Sequence, residues 1–386
     1  MVQSLRWARP IITVHTSYLM QAGWAVGVVI PARDEEMHIG GVLTNLPEWV
    51  DAIVVVNDKS SDNTVDVAID SLIARQKRGW NGKWWLLDLA TSDANEGRSG
   101  VGAAIDYGMQ YLRDKADANK WVAENKNWCA AVMDGDGQMC PHDLAALISP
   151  ITEDVADHVK GSRSMHSNGL AQMPVVRRVG TWVLAHLTNL ACGTKLSDPQ
   201  SGFVVSSNEV IENWDFSSRW DGYGYPNHRL LQLANGNWRV REVPVKSIYN
   251  GAKSHLRIPS FFIRVASLLW FGLCSRGWNW YVVGRRNKFT QKRISTSLRI
   301  ALSTMWFTAW SSIIGVLLLM LMTPDSLLQV ILGLFFVLAM GICRAIDREV
   351  CIIREMEFIN QRRGKIASFQ SRKVTRIQNV VNPLHE

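Results

Sequence analysis

Four short apolar runs constrain this chain more than anything else in it: "WAVGVVIPA" (24–32), "DAIVVVND" (51–58), "KWWLLDLA" (83–90) and "WCAAVMD" (128–134). Each reads as a buried strand. Between them lie helical segments: "MHIGGVLTNL", then "DNTVDVAIDSLIARQ" (62–76) with Ser61 or Asp62 as its cap, then "GRSGVGAAIDYGMQYLRDKA" (97–116), which opens on glycines. Near-continuous apolar strands alternating with helices imply an α/β fold on a mostly parallel sheet.

Polar residues collect where these strands end: Arg33, Asp34 and Glu35, then Asn57 and Asp58, then Asp134 and Asp136. Open α/β sheets bind ligands at that edge. Three acidic strand ends in succession suggest one shared site. In "MDGDGQ" only Gly135 separates Asp134 from Asp136. Like charges this close are tolerable if a divalent cation lies between them and a phosphate. Mg²⁺ or Mn²⁺ takes oxygen ligands, commonly one or two carboxylates completed by substrate phosphates. Gln138 could add an oxygen, and Gly135 and Gly137 leave room for a bulky ligand.

Together these stretches resemble family 2 glycosyltransferases of GT-A fold, and among them the polyprenyl-phosphate glycosyltransferases typified by dolichol-phosphate mannose synthase. The resemblance covers about 25–257. It rests on "VVIPARDEE", "VVVNDKSSDNT", "GRSGVGAAIDYG", "MDGDGQ", "GSR" (161–163), "SDPQSGF" (197–203) and "VREVPVKSIYNGAKSH" (240–255), in that order. It implies that Glu35 and Asp58 contact the base and ribose of a GDP- or UDP-sugar, with Pro31 shaping the turn. Asp134 faces ribose or metal, and Asp136 and Gln138 bind the metal. Arg98 and Arg163 suit phosphate, since guanidinium binds it bidentately. "GRSGVG" lacks the GxGxxG spacing and follows the third strand, so a dehydrogenase is discounted. Two positions depart from the pattern. Asn57 replaces the first acid of an Asp-Asp pair. His228 stands where many relatives carry an acidic base. A phosphate monoester is already a nucleophile at pH 7 and needs no base, which favours a phosphate acceptor, although His228 could itself serve as one.

The net charge of +8 is unevenly placed. "RRNKFTQKRISTSLR" (285–299) holds six cations and no anion, and 344–386 adds nine cations and five anions. The first 284 residues sum to about −1. A nucleic-acid binder carries its basic excess on the folded domain. Here the excess brackets "ALSTMWFTAWSSIIGVLLLMLM" (301–322), "TPDS" and "LLQVILGLFFVLAMGIC" (327–343). The first run is long enough to cross a bilayer core, the second marginally so. The expected element is a two-helix transmembrane hairpin with both flanks, the catalytic domain and both termini cytoplasmic. Residues 258–286 contain Arg264 and Arg276 among apolar residues, with Trp270, Trp278, Trp280 and Tyr281. They read as one or two interfacial amphipathic helices. Arg177 and Arg178, before "VGTWVLAHLTNLA", and Ser201 are candidates for an acceptor phosphate. The six cysteines are scattered without a CxxC pair, which fits a reducing compartment and argues against zinc.

The expected organisation is an N-terminal extension (1–24), a GT-A domain (25–257), interfacial helices (258–299), a transmembrane hairpin (300–343) and a basic tail (344–386). The expected activity is inverting transfer of one sugar from a nucleotide-sugar to a polyprenyl phosphate at the cytoplasmic membrane face, with Mg²⁺ or Mn²⁺. The sequence also permits a homo-oligomer. Three rivals remain: a transferase with a saccharide or other hydroxyl acceptor, a processive synthase, and an inactive nucleotide-sugar binding protein. Two spans and no QxxRW-like motif count against the second. Intact Asp134, Asp136 and Gln138 count against the third.

Overall fold

The structure, a computed structural model, describes residues 23–90, 97–123, 126–166, 175–222, 224–236, 238–248, 258–283, 296–321 and 329–353. Most of the expected extension, much of the 285–299 flank, the "TPDS" turn and most of the tail lie outside the described residues.

The four apolar runs are strands β1 (Ala25–Ala32), β2 (Ala52–Asn57), β3 (Lys83–Asp88) and β4 (Trp128–Val132). With β5 (His158–Ser162), β6 (Val204–Ser207) and β7 (Val240–Pro244) they form one seven-stranded sheet, in the order β3-β2-β1-β4-β6-β5-β7. β6 runs antiparallel to both neighbours, and every other pairing is parallel. The carboxyl ends of six strands therefore share one edge.

Period-two alternation splits the strand side chains between two cores. Val28, Ile30, Ile53, Val55, Cys129 and Ala131 face one. It is covered by α1 (Ile39–Asn45), α2 (Thr64–Lys77) and α4 (Leu144–Thr152). Val29, Val54, Val56, Ala130 and Val132 face the other, covered chiefly by α3 (Val101–Asp117). Buried on both faces, central strands cannot alternate with polar residues, which is why they read as unbroken apolar runs. The cap of α2 differs from expectation. Asn63 precedes the helix without a side-chain cap bond. Asp62 accepts from the Thr64 backbone N–H at 3.0 Å and from the Glu36 N–H at 3.1 Å, so it ties the helix start to the β1 loop.

The chain divides into two compact units. The first comprises Met1–Leu187, Leu196–Gln232 and Trp238–Ala266, and the second Thr188–Lys195, Leu233–Asn237 and Ser267–Glu386. Between β5 and β7 run α5 (Val175–Cys192), α6 (Asn208–Glu212) and α7 (Tyr225–Gly236). α8 (Ile258–Gly277) passes directly into a π-helical turn, Trp278–Val282. α9 spans Thr296–Leu321 and α10 spans Gln329–Ile353. Among the described residues α10 is the one helix long and apolar enough to cross a membrane, with a mean hydropathy of 2.1 over its most apolar window, 6% of it buried.

α10 extends ten residues beyond the expected end at 343, through Arg344, Asp347, Arg348 and Glu349. Long-range pairing explains how it absorbs a carboxylate. Asp347 is buried and takes Arg276 in a two-pronged pair at 2.9 and 3.0 Å. It also accepts from the Tyr281 hydroxyl and from Arg344. Arg276 caps the Leu190 carbonyl at 3.1 Å.

Candidate active site at the carboxyl edge of the sheet

The loop after β1 and the loop after β2 are zipped together by short bonds. Asp34 adopts a left-handed φ of 54°. Its carboxylate accepts from the Ser61 N–H at 2.7 Å, while its own N–H donates to the Ser60 hydroxyl at 3.0 Å. The Glu35 N–H donates to Thr64 Oγ1 at 2.7 Å. Asn57, the departure from the Asp-Asp pair, accepts from the Ser60 N–H through Oδ1 at 3.1 Å. An amide oxygen serves that turn as a carboxylate oxygen would.

β4 lies beside β1, so "MDGDGQ" emerges next to the end of β1. The Gly135 N–H donates to the Pro31 carbonyl at 3.1 Å. A Cβ at Gly135 would sit 3.2 Å from Ala32, Ile39 and the Pro31 carbonyl, so this glycine admits the neighbouring strand rather than a ligand. Gly137 turns with φ 72°, and Asp136 Oδ1 accepts from the Gln138 N–H at 2.9 Å. The distal signature reaches the same place: a Cβ on Gly202 would lie 3.5 Å from Asp134 Oδ2. Segment 245–248 completes the rim. Met139 pairs with Ser247, and the Ile248 N–H donates to the Gln138 carbonyl at 2.9 Å.

Electrostatics marks Glu35, Asp134 and Asp136 as one group. Glu35 is pushed up to about 7, by burial first and then by Asp136, Asp62 and Asp34. Burial raises Asp134, with Asp136 and Glu35 adding to it and Arg163 opposing. Burial also raises Asp136, against the Gln138 N–H and His38. Acids raised by one another gain from a cation among them. Among the described residues no group of three or more His, Cys, Asp and Glu is disposed to hold a metal by itself. Two carboxylates with substrate phosphates completing the shell is the hard-ion arrangement that this donor set fits.

The remaining candidates are held by protein partners. Asp58 is buried. Its two oxygens accept from the Ser99 hydroxyl at 2.7 Å and the Gly100 N–H at 2.8 Å, with Arg33 Nη1 3.7 Å away. Arg98 donates to Asp221 at 2.7 Å and to Asp106 at 3.4 Å. Arg163 grips Asp198 with two prongs, at 2.7 and 3.0 Å. Ser197 and Asp198 in turn donate their N–H groups to Glu242 at 2.6 and 2.8 Å. Ser201 is buried, and its carbonyl accepts from Lys160 at 2.7 Å. Arg178 is exposed near the start of α5, and the side chain of Arg177 lies outside the described residues. His228, on α7, is buried, stacked on Trp220 at 6.1 Å, with Nε2 3.1 Å from the Ser218 hydroxyl. Burial, helped by Arg229, pulls its pKa down to about 4, with Asp215 pulling back.

Asp106, Asp198, Asp221 and Glu242 escape a reading by motif. Asp198 stands inside "SDPQSGF", but its value as a partner of Arg163 depends on a contact across 35 residues.

The sheet order, with its single antiparallel strand, and acids at the carboxyl edge define a GT-A-type α/β fold. The chain belongs to glycosyl transferase family 2, whose model matches residues 27–214. It is 29% identical over 223 residues to a UDP-N-acetylglucosamine–dolichyl-phosphate N-acetylglucosaminyltransferase of Methanococcus voltae, covering 58% of this chain and 85% of the relative. An uncharacterized glycosyltransferase of Mycobacterium bovis is 30% identical over 224 residues, covering 58% and 85%. Glucosyl-3-phosphoglycerate synthase of Mycobacterium tuberculosis, crystallised with phosphoglyceric acid, shares the fold. Its TM-score is 0.50 at 18% identity, over 69% of this chain and 86% of that one.

Proposed function

We propose that this glycosyltransferase moves a single sugar, with inversion, from a nucleoside-diphosphate sugar to a polyprenyl phosphate at the cytoplasmic face of a membrane. The observation that carries the reading is the group of raised acids at the sheet edge, Asp136 raised by burial and Glu35 and Asp134 by burial and then by Asp136. Asp134, Asp136 and Gln138 would hold Mg²⁺ or Mn²⁺, which when bound neutralises a leaving diphosphate. Glu35 and Asp58 accept hydrogen bonds from base and ribose. Arg98 and Arg163 orient the diphosphate once their carboxylate partners yield. Arg177, Arg178 and Ser201 receive the acceptor phosphate, whose oxygen attacks the anomeric carbon as the diphosphate leaves from the opposite side. Positioning and charge supply the rate.

His228 supports a phosphate acceptor. Neutral at pH 7, buried and occupied by Ser218, it is a weak base for a hydroxyl. The activity for which the Methanococcus relative is named points the same way and makes UDP-N-acetylglucosamine the first donor to try. For the membrane, α10 offers 25 residues of helix, about 37 Å at the usual rise, whose most apolar window has a mean hydropathy of 2.1 and is 6% buried. α9 is the candidate second span, with Phe307, Ile314 and Leu318 more than half exposed. α8 is the candidate interfacial helix.

The test is label transfer by the purified full-length protein, given Mg²⁺ or Mn²⁺, a panel of labelled nucleotide sugars and polyprenyl phosphate. Label entering the lipid phase, and lost in Asp136→Ala, is the expected result. Label found on saccharide alone selects a hydroxyl acceptor instead.

A further inference from the structure

Residues 213–222 form neither helix nor strand, so no backbone ladder fixes them. Their place is set by contacts with the glycine-rich start of α3. The Gly102 N–H donates to the Asp221 carbonyl at 2.9 Å. A Cβ at Gly102 would lie 1.9 Å from the Trp220 carbonyl oxygen, and one at Gly100 would lie 2.4 Å from that of Asp221. Both positions thus require glycine because a backbone occupies the space of a side chain.

One carboxylate organises the rest. Asp106, a turn into α3, is 2% exposed. It accepts from the Tyr225 hydroxyl at 2.8 Å, from Arg98 Nη2 at 3.4 Å and from Arg229 Nη2. Arg98 carries the link onward to Asp221. Arg229 carries it to Trp214, stacked 4.1 Å beneath its guanidinium, and to the Asp215 carbonyl at 3.4 Å. The same loop bears Ser218 and Trp220, the two partners of His228. The donor-side bonds of Asp58 to Ser99 and Gly100 do not pass through Asp106.

We propose that Asp106 is a positioning residue for sugar transfer, holding segments 214–222 and 224–229 against the 97–102 turn through Arg98, Tyr225 and Arg229. This rests on the glycosyl-transfer reading. Without Asp106 the two guanidinium groups lose their shared anchor, and Arg98, which orients the leaving diphosphate, drifts with the loop it is tied to. A displacement of about 1 Å in such a support lowers a rate by up to about 10²-fold. UDP with its metal is still held through Glu35, Asp58 and the Asp-Gly-Asp turn, whose bonds do not pass through Asp106, and Arg98 keeps Asp221, so most of the nucleotide affinity is retained.

The experiment compares wild type with Asp106→Asn in the full-length protein. It measures kcat for label transfer, Kd for UDP with Mn²⁺, and hydrogen exchange across 214–222. The expected result is a fall in kcat of about 10- to 100-fold with UDP affinity changed less than about threefold, and faster exchange in 214–222. Unchanged kcat, unchanged exchange, or kcat and UDP affinity falling together overturns the proposal. If Asp106→Asn does not fold, Asp221→Asn decides, because it leaves Arg98 its contact with Asp106. It should show the same kcat loss and faster exchange at smaller amplitude, and wild-type values overturn the proposal. If wild type transfers nothing to any acceptor, the functional reading fails, and the exchange measurement still decides the positioning claim.

Discussion

Two acidic clusters, one at each edge of this sheet, are treated in opposite ways. At the amino edge Asp157, fully buried, is met by Arg239 at 2.9 and 3.0 Å and by the Arg239 N–H at 2.9 Å. The same guanidinium also takes Asp154. At the carboxyl edge burial raises Glu35, Asp134 and Asp136, Asp136 adds to the first two and Glu35 to Asp134, with Arg163 and His38 as partial relief. An acid that the chain itself neutralises holds the architecture together. Acids left facing acids mark the place where the chain needs something from outside.

That contrast can be broken at either edge. The largest effect is expected at the amino edge. Arg239→Met leaves Asp157 buried without its partner, a loss of about 3–5 kcal/mol in urea unfolding. Nucleotide affinity, measured well below the lowered Tm, should hold, and a parallel fall in affinity would erase the distinction between the edges. Next comes Asp136→Ala, which should cut label transfer by at least about 10²-fold while leaving the circular dichroism spectrum intact. Activity surviving that change would remove the carboxyl-edge acids from the chemistry.

Cation binding sharpens the comparison. Mn²⁺ at a hundredfold over its Kd should stabilise the wild type by about 2.7 kcal/mol in a thermal shift with UDP present. Asp136→Ala should lose most of that shift, and Arg239→Met should keep it. The smallest effect separates burial from charge. The pKa of His228 is depressed to about 4 from an ordinary 6.5, so the unfolded chain binds the extra proton between those values. Its stabilising contribution is full above pH 6.5 and is lost as pH falls toward 4. The stability difference between pH 7 and pH 5 should shrink in His228→Gln, and an unchanged difference would deny the burial effect.

Much of the carboxyl edge is legible in the linear chain. Apolar runs that stop at Glu35, Asp58 and Asp134 report both the strands and the rim, because strand burial and strand termination are local properties. The partners are not legible. Arg98 and Arg163 look like phosphate ligands by residue type, yet their present partners are Asp221, 123 positions away, and Asp198, 35 positions away. The glycines of "GRSGVG" superficially resemble a dinucleotide fingerprint, yet Gly100 and Gly102 clear the way for residues 220 and 221.

What the sequence determined alone is therefore whatever a short window encodes: the alternation of strand and helix, the acidic ends, the Asp-Gly-Asp turn and the apolar stretch after 300. Tertiary structure decided which charges cancel, which glycines are crowded, that β6 reverses, and that α10 continues past Asp347 because Arg276 meets it. Local patterns follow from backbone geometry and side-chain burial within a few residues. Pairing depends on which distant groups the fold brings within 3 or 4 Å, and no window of the sequence contains that distance.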